Sequence, residues 1–212
     1  MKNSNYKTFE LLSPKYERDN IKLGLSRIKK ALQELGNPCE NIPAIQIIGT
    51  NGKGSIAAYL ENILFEAKRN FGVTTSPHLL DVCERIRVNK KNINKTDFEK
   101  IYRLIEKNFS TFELTPFEKM ICCALNFFDN KKVELLVLEA GLGGRLDATT
   151  AHKFRPIIAI GNIGLDHKEF LGNTIEKIAE EKLAVIEKNS IVISCNQDSH
   201  CLLYTSDAAD ES

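Results

Sequence analysis

The chain has 212 residues, of which 42% are hydrophobic and 27% charged, and its formal net charge is +1. This length allows one domain with a sizeable core, or one domain and part of another, and the composition is ordinary for a globular protein. A charge so close to neutrality gives no support for a nucleic-acid or anionic-membrane partner. The first residues lack the apolar core of a signal peptide, no apolar run reaches the ~18 residues of a membrane span, and the six cysteines contain no CxxC pair. We therefore expect reduced cysteines in a cytoplasmic protein.

Apolar spacing predicts the elements of the first half of the chain. Residues 44–48 are predicted as a buried strand, residues 71–76 as the next strand, and residues 85–95 as an irregular loop or a hairpin. A helix is predicted before the first strand, from apolar residues spaced four, three, four and three apart: Ile21, Leu25, Ile28, Leu32 and Leu35. A second helix is predicted over residues 55–68, with these side chains facing inward: Ile56, Leu60, Ile63, Leu64 and Ala67.

The second half of the chain continues the alternation of strands and helices. One helix begins in the sequence TPFE, with Thr115 as its N-cap, Pro116 at its first position and Glu118 as the acid of a capping box. The other predicted helices cover about residues 97–108 and 174–187, and the predicted strands cover residues 133–140, 156–163 and 190–194. This alternation predicts an α/β fold in which helices flank a mostly parallel sheet.

A glycine-rich turn, GTNGKGS, joins the first predicted strand to the helix that follows. A strand, a glycine turn and a helix place backbone N–H groups and the positive helix end around an anion, and Lys53 can reach the outer phosphates of a nucleotide. The spacing departs from the generic P-loop, because only Thr50 and Asn51 separate the first glycine from Gly-Lys and another glycine follows Lys53. The alternative is a tight turn with a solvated lysine. The candidate phosphate-binding residues are Gly49, Thr50, Asn51, Gly52, Lys53, Gly54 and Ser55.

Polar side chains follow three of the predicted strands at their carboxyl ends, where ligands bind in open α/β sheets. Glu139 ends an otherwise apolar strand and is placed like an acid that binds Mg²⁺, which prefers oxygen ligands. His167 follows the next strand along the chain, and Ser76 and His78 follow an earlier one. These residues are candidates for one site. The alternatives are a strand-end glutamate in solvent and a structural histidine.

Lys182 interrupts an apolar helical face. Ile175, Ile178 and Val185 share that face with it, and a lysine in such a position is unfavourable unless it is paired or extends to water. Two interpretations follow: the side chain snorkels to solvent, or it is a functional lysine directed towards the edge of the sheet.

Several segments, taken in order, resemble one known family. They are LSRIKKALQELGNP, GTNGKGS, TTSPHL with ERIRV, LEAGLGGRLDAT, GLDHKEFLG and EEKLAVI. Together they resemble folylpolyglutamate synthase/dihydrofolate synthase, which belongs to the Mur-ligase-like, ATP-dependent amide ligases. The resemblance covers roughly residues 20–200.

The resemblance implies a fold and an activity. The fold implied is a P-loop-containing, Mur-ligase-like central domain over residues 1–200, with the C-terminal ligase domain of the family missing. The activity implied is phosphorylation of a folate or dihydropteroate carboxylate by ATP, followed by attack of the amino group of L-glutamate on the acyl phosphate. Residues 201–212 follow no earlier pattern, and we expect them to be a non-native tail.

The resemblance also implies roles for the candidate residues. The glycine-rich turn is expected to hold ATP, and Ser76, Glu139 and His167 match ligands of Mg²⁺. Lys182 matches a lysine that is carbamylated in many relatives and helps to bind a second metal ion. The expected catalytic residues are Lys53, Glu139, His167 and Lys182. The segments expected to contact the pterin are represented by Thr115, Phe117, Glu118, Leu146, Asp147 and Ala148.

Two rival functions compete with this one. The first is a different Mur-type ligase that acts on a cell-wall precursor, against which the TTSPHL, ERIRV and GLGGRLDAT segments argue. The second is a nucleotide-binding regulatory module that uses the phosphate loop without ligation, although no guanine-reading NKxD segment is present. For the folate-type ligase we expect small-molecule substrates (a folate or dihydropteroate, and L-glutamate), no nucleic acid, no membrane and a monomer.

Overall fold

The computed structural model of the chain describes residues 19–197, so the predicted tail at 201–212 lies outside the described residues. The described part is built on a seven-stranded sheet in the spatial order β4-β3-β2-β5-β1-β6-β7. In chain order the strands are β1 (Ala44–Ile48), β2 (Phe71–Thr74), β3 (Ile86–Val88), β4 (Lys91–Asn92), β5 (Leu135–Glu139), β6 (Ile157–Ile160) and β7 (Ile191–Ser194). The five strands from β2 to β7 in spatial order are parallel, and among the described strands only β3 runs in the opposite direction, pairing antiparallel with both β2 and β4. The predicted mostly parallel sheet is confirmed.

Helices cover both faces of this sheet. They are α1 (Ser26–Glu34), α2 (Lys53–Glu66), α3 (Lys95–Asn108), α4 (Pro116–Asn130), α5 (Lys168–Leu171) and α6 (Ile175–Leu183), with short 3-10 turns at Val82–Arg85, Ser110–Phe112 and Ala148–Ala151. Helix α2 packs on one face, and α1, α3, α4 and α6 pack on the other. None of the described helices is both long and apolar enough to cross a bilayer.

The central strand β1 shows why the sheet is buried on both sides. Ile45 and Ile47 face α2, whereas Ala44 and Ile48 belong to the opposite core, as the two-residue repeat of a strand requires. Gln46 is fully buried between them, and its Nε2 donates to the hydroxyls of two threonines in the 3-10 turn at Ala148–Ala151. This strand therefore anchors the segment that follows β5.

The predicted helices differ from the observed ones in several details. Ile21 precedes α1 instead of lying within it, and the helix predicted over 174–187 ends at Leu183. In α2, Ile63 is 62% exposed and Ala67 is also exposed, because the buried face is centred on Ala57 and Glu61. Glu61 faces inward because it forms an ion pair with Arg87 of β3, a partner that helical spacing alone does not indicate.

Candidate nucleotide and substrate site

The glycine-rich turn connects β1 to α2 at the carboxyl edge of the sheet. Gly52 adopts a left-handed conformation with φ of 83° and is the N-cap, so that α2 begins at Lys53, two residues earlier than predicted. The backbone N–H groups of Thr50 and Asn51 both donate to the carbonyl of Asn162, at 2.7 and 3.1 Å. The turn is thus fastened to the segment after β6. The exposed Ser55 lies in the first turn of the helix, whose N–H groups are donors of the kind that bind anions in proteins.

Two lysines converge on one carbonyl oxygen of this turn. Lys53 Nζ donates to the carbonyls of Gly49 and Thr50, at 3.0 and 3.1 Å. Lys182 Nζ donates to the same Gly49 carbonyl at 2.9 Å. Only 2% of Lys182 is exposed, so the snorkelling interpretation is wrong. Burial, and after it the positive charge of Lys53, lowers the pKa of Lys182 to about 8.

The glycines of the GLGG segment explain how Lys182 reaches this position. A Cβ atom at Gly144 would lie 2.4 Å from the Lys182 carbonyl oxygen and 2.9 Å from its Cα. Only glycine therefore allows α6 to approach the loop after β5 so closely. Arg145 reinforces the contact, since its N–H donates to the Glu181 carbonyl and its guanidinium pairs with the Glu181 carboxylate at 2.8 Å.

Glu139 lies at the end of β5 and is 4% exposed, so the alternative of a solvated strand-end glutamate is wrong. Its Oε2 accepts a hydrogen bond from the Ser76 N–H at 3.1 Å. Burial raises the pKa of the Glu139 carboxyl, whereas the bond from Ser76 and the charge of Lys53 act in the opposite direction. Glu139 also faces the phosphate loop, because its Oε1 is 3.9 Å from the place where a side chain on Gly54 would begin.

The predicted metal ligands gather at this edge without forming a closed cluster. His167 is the N-cap of α5, in a left-handed conformation, and its Nε2 lies 3.5 Å from Asp166 Oδ2. His167 and Ser76 line the same cavity. Within residues 19–197, no three His, Cys, Asp or Glu side chains lie close enough to hold a metal ion together. Hydroxyl, phosphate and water oxygens would have to complete the coordination, which suits Mg²⁺, an ion that keeps several waters and binds substrate phosphates.

A cavity of about 300 Å³ opens beside these residues. All six residues predicted to contact the pterin line it: Thr115, Phe117, Glu118, Leu146, Asp147 and Ala148. Its walls also include residues 20–24, at the start of the described chain. The cavity is therefore built from segments that are widely separated in sequence.

The polar groups that line the cavity differ in their hydrogen bonding. The predicted capping box is present: the Glu118 N–H donates to the Thr115 hydroxyl, and the Thr115 N–H donates to Glu118 Oε2. Glu118 Oε1, by contrast, is buried and has no hydrogen-bond partner within the described chain. Both oxygens of Asp147 are engaged by the loop itself, since they accept from the N–H groups of Gly141, Leu142 and Thr149 and from the Thr149 hydroxyl.

The wall at residues 20–24 and the side chain that holds it were not predicted from the sequence. Arg27 Nε donates to Glu118 Oε2 at 3.2 Å, and its Nη2 donates to the Lys22 carbonyl at 2.5 Å. The only signal in the sequence was an arginine next to the apolar face of a predicted helix. Of the two remaining histidines, His152 is buried against the Ile42 carbonyl, and His200 lies outside the described residues.

The model of the Mur ligase middle domain matches residues 47–211, which is more than half of the chain. The chain belongs to the Mur ligase middle-domain family. The matched residues include the phosphate loop, Glu139 and His167.

Relatives of this Mur ligase domain act in folate metabolism. A probable dihydrofolate synthetase of Schizosaccharomyces pombe is 40% identical over 172 residues, which are 80% of this chain and 41% of that protein. E. coli FolC in complex with DHPP and ADP is 32% identical with a TM-score of 0.84, over 97% of this chain and 48% of that one. The bifunctional folylpolyglutamate synthase/dihydrofolate synthase of Yersinia pestis, complexed with AMPPNP and Mn ion, is 34% identical with a TM-score of 0.80, over 90% and 46% of the two chains.

These similarities confirm the resemblance to folylpolyglutamate synthase/dihydrofolate synthase. The chain spans less than half the length of each of these three relatives.

Proposed function

We propose that this chain is the ATP-binding part of a ligase that joins L-glutamate to the carboxylate of a folate or a dihydropteroate. One observation carries the proposal: the phosphate loop, Glu139 and the 300 Å³ cavity lie side by side at the carboxyl edge of one sheet. That arrangement brings a nucleotide phosphate and an organic acid together. The relatives that bind ADP, AMPPNP, Mn ion and DHPP support the same assignment.

The reaction needs charge to be offset at the phosphate loop. A carboxylate oxygen of the folate attacks the γ-phosphorus of ATP, and the bond to ADP breaks to give an acyl phosphate. The amine of glutamate then attacks the acyl carbon, and inorganic phosphate leaves. Both reactants of the first step are anions, so Lys53 and the N–H groups at the start of α2 stabilise the charge as it shifts towards ADP.

Glu139, Ser76 and His167 would hold the divalent ion. Their donor set consists of a carboxylate, a hydroxyl and an imidazole, and the buried position of Glu139 beside the loop suits an ion shared with nucleotide phosphates. When bound, Mg²⁺ neutralises negative charge on those phosphates. Glu139 keeps the Ser76 backbone in place through the 3.1 Å hydrogen bond, whichever ion is present.

Lys182 is proposed to act as a carbamate. Carbon dioxide reacts with an uncharged amine, and a pKa near 8 leaves a substantial neutral fraction of Lys182 at physiological pH. The product is an anion, which removes the repulsion between two neighbouring lysines on the Gly49 carbonyl. The carbamate would supply further oxygen ligands for a second Mg²⁺.

The cavity is proposed to hold the pterin end of the folate. Phe117, Leu146 and Ala148 provide apolar walls, and Glu118 Oε1 is a buried acceptor without a partner within residues 19–197. An amino-substituted heterocycle would supply the missing donor. Asp147 acts through the loop that its carboxylate organises.

We also propose that the protein is a cytoplasmic monomer. Four of the described cysteines, Cys39, Cys83, Cys122 and Cys123, are buried thiols, and burial raises the pKa of each of them. Such thiols are unreactive and suit a reducing compartment.

The decisive experiment measures ATP-dependent joining of labelled glutamate to dihydropteroate and, separately, to tetrahydrofolate. A chimera in which the C-terminal part of the S. pombe relative follows residue 200 is assayed beside the 212-residue chain. We expect product from the chimera, and ATP hydrolysis that requires the pteroate carboxylate. ATP hydrolysis that does not depend on the pteroate carboxylate would support a regulatory module. Joining of an amino acid to a cell-wall precursor instead would support the other Mur-type ligase.

A further inference from the structure

The ERIRV segment carries three charged side chains to which the proposed reaction gives no role. Glu84, Arg85 and Arg87 lie in the 3-10 turn and strand β3, directly after the loop of residues 75–81 that leaves β2. This loop contains Ser76, whose N–H donates to Glu139 and which lines the cavity together with Pro77. The position of the loop therefore determines one wall of the candidate site.

Glu84 holds the distal end of the loop. Its Oε2 accepts from the Leu79 N–H at 2.8 Å, and its Oε1 accepts from the N–H groups of Leu80 and Asp81 at 3.0 and 2.9 Å. The Glu84 carboxylate thus accepts hydrogen bonds from three consecutive backbone N–H groups. Hydrogen bonds to an ionised acceptor are about twice as strong as neutral ones.

The two arginines hold the middle and the beginning of the loop. Arg85 Nε donates to His78 Nδ1 at 2.9 Å. Arg87 Nη1 donates to the Thr75 hydroxyl at 3.0 Å and also to the Glu84 carbonyl. Each charged residue of the segment therefore contacts a different part of the loop.

Arg87 also joins this loop to the helix that starts at the phosphate loop. Its Nε lies 3.0 and 3.1 Å from the two carboxylate oxygens of Glu61 on α2. Both side chains are largely shielded from water, which favours a defined geometry over the loose pairing of exposed ions. The same guanidinium contacts α2 and the residue before Ser76.

Apolar burial contributes little at the tip of the loop. Leu79 and Leu80 are 90% and 93% exposed, so neither packs into a core that would fix the backbone around it. The polar contacts of Glu84, Arg85 and Arg87 hold this part of the chain. A loop fixed in this way loses its position when those contacts are removed, even though the hydrophobic core stays intact.

We propose that Glu84 and Arg87 are positioning residues, which fix residues 75–81 so that Ser76 stays on Glu139 and against the cavity, and which tie this wall to the phosphate-loop helix through Glu61. The proposal rests on the proposed function only in treating the cavity as the substrate site. The contacts themselves are independent of that assignment.

The first test measures backbone amide exchange in the 212-residue chain. Glu84→Ala should speed exchange at Leu79, Leu80 and Asp81 by about tenfold or more, and should also speed exchange at Ser76. Glu84→Gln keeps an oxygen acceptor and should fall between Glu84→Ala and the parent. Glu66→Gln removes a carboxylate from the exposed end of α2 and should leave the loop unchanged.

Exchange in β1 and β5 serves as the control for global unfolding and should not change in any variant. Faster exchange confined to Leu79–Asp81, with Ser76 unaffected, would overturn the proposal, and so would an unchanged loop in Glu84→Ala. Arg87→Lys keeps the charge but loses the fork that contacts Glu61 and Thr75 together, and it should loosen Ser76 to a similar extent.

The second test measures binding of dihydropteroate and of AMPPNP with Mn²⁺ by calorimetry. Glu84→Ala should weaken dihydropteroate about tenfold, with partial recovery in Glu84→Gln, because Ser76 and Pro77 line the cavity. Equal dihydropteroate affinity in parent and variant would contradict the proposal. If the parent bound neither ligand, the proposed function would fail while the exchange experiment would still decide the role of the two residues.

Discussion

At the scale of single residues, the carbonyl oxygen of Gly49 shows how the site is organised. It accepts hydrogen bonds from Lys53 and from Lys182, so two cations lie within one hydrogen bond of the same atom. Like charges this close destabilise each other and lower the pKa of the more buried one. An anion at the phosphate loop would remove that conflict, which makes the pair a favourable place for phosphate.

Lys53→Ala should weaken binding of AMPPNP. It removes one charge-assisted contact, worth about 1.5–3 kcal/mol, which is roughly 10- to 150-fold in affinity. Calorimetric titration of the 212-residue chain with AMPPNP measures this affinity. Lys68→Ala, which changes an exposed lysine just beyond α2, is the matched control. Equal affinity in the Lys53 variant and the parent would refute phosphate binding by Lys53.

Glu139→Gln should abolish the effect of Mn²⁺ on nucleotide affinity while leaving the fold intact. Glutamine can still accept the hydrogen bond from the Ser76 N–H, but it lacks the charge that a divalent ion requires. We expect a loss of about tenfold or more in affinity with Mn²⁺ present, and no difference from the parent without it. The thermal midpoint reports on the fold. Retained Mn²⁺ dependence would show that the ion binds elsewhere.

Lys182→Met should stabilise the fold and abolish glutamate joining in the chimera. Burial of a charged lysine whose pKa falls from 10.5 to about 8 is unfavourable by about 3 kcal/mol, and methionine fits the apolar face without a charge. The unfolded lysine binds more protons between pH 8 and 10.5, so the penalty is full below pH 8 and fades as the pH rises towards 10.5.

Denaturant unfolding at pH 7 and at pH 10 checks this prediction. The advantage of the methionine variant should shrink at the higher pH. Intact-mass measurement in bicarbonate should show one added CO₂ on the parent and none on the variant. A variant that was less stable than the parent at pH 7, or fully active in the chimera, would contradict the proposed role of Lys182.

At the scale of elements, the approach of α6 to the loop after β5 determines where Lys182 lies. Gly144→Ala places a methyl group 2.4 Å from the Lys182 carbonyl oxygen, so α6 must shift. Overpacking of this kind destabilises by about 1–3 kcal/mol, and it should displace Lys182 from Gly49. Gly164→Ala is the control, because its nearest neighbour would be 3.8 Å away.

Denaturant unfolding of the Gly144 and Gly164 variants measures the difference. The CO₂ adduct on Lys182 should be lost together with stability in Gly144→Ala. Equal free energies of unfolding of the two variants would mean that α6 accommodates a methyl group at Gly144 without strain.

Local patterns were sufficient to predict most elements but not every buried face. The strands around 44–48, 133–140 and 156–163 were recognisable because parallel strands buried on both sides are continuously apolar. The inward face of α2 was misjudged because Glu61 is buried by its pairing with Arg87, a residue on another element. The spacing of apolar residues along a helix does not predict the burial of a charged residue that pairs with a distant part of the chain.

At the scale of the whole molecule, the motifs identified the edge of the sheet where the site lies, and the structure shows how that site is enclosed. The phosphate loop was predicted from a short segment that carries its own chemistry, whereas the six pterin residues were predicted only through the resemblance of their segments to a known family. The structure places those six around one cavity, and their role stays a prediction. The wall at residues 20–24 was not found, since Arg27 and Glu118 are 91 positions apart and nothing in either segment points to the other. The extent of the domain over 1–200 and the nature of residues 201–212 stay predictions.

The cavity wall at residues 20–24 also has a consequence for how the chain is made. Those residues leave the ribosome early, and the partners that complete the enclosure, as far as His167, leave much later. A ligand that fills the cavity can therefore bind only after all of the lining segments have been synthesised and have folded together. At about a hundred times its Kd it would add about 2.7 kcal/mol to the free energy of unfolding. Supply of such a ligand would then raise the fraction of newly synthesised chain that is folded.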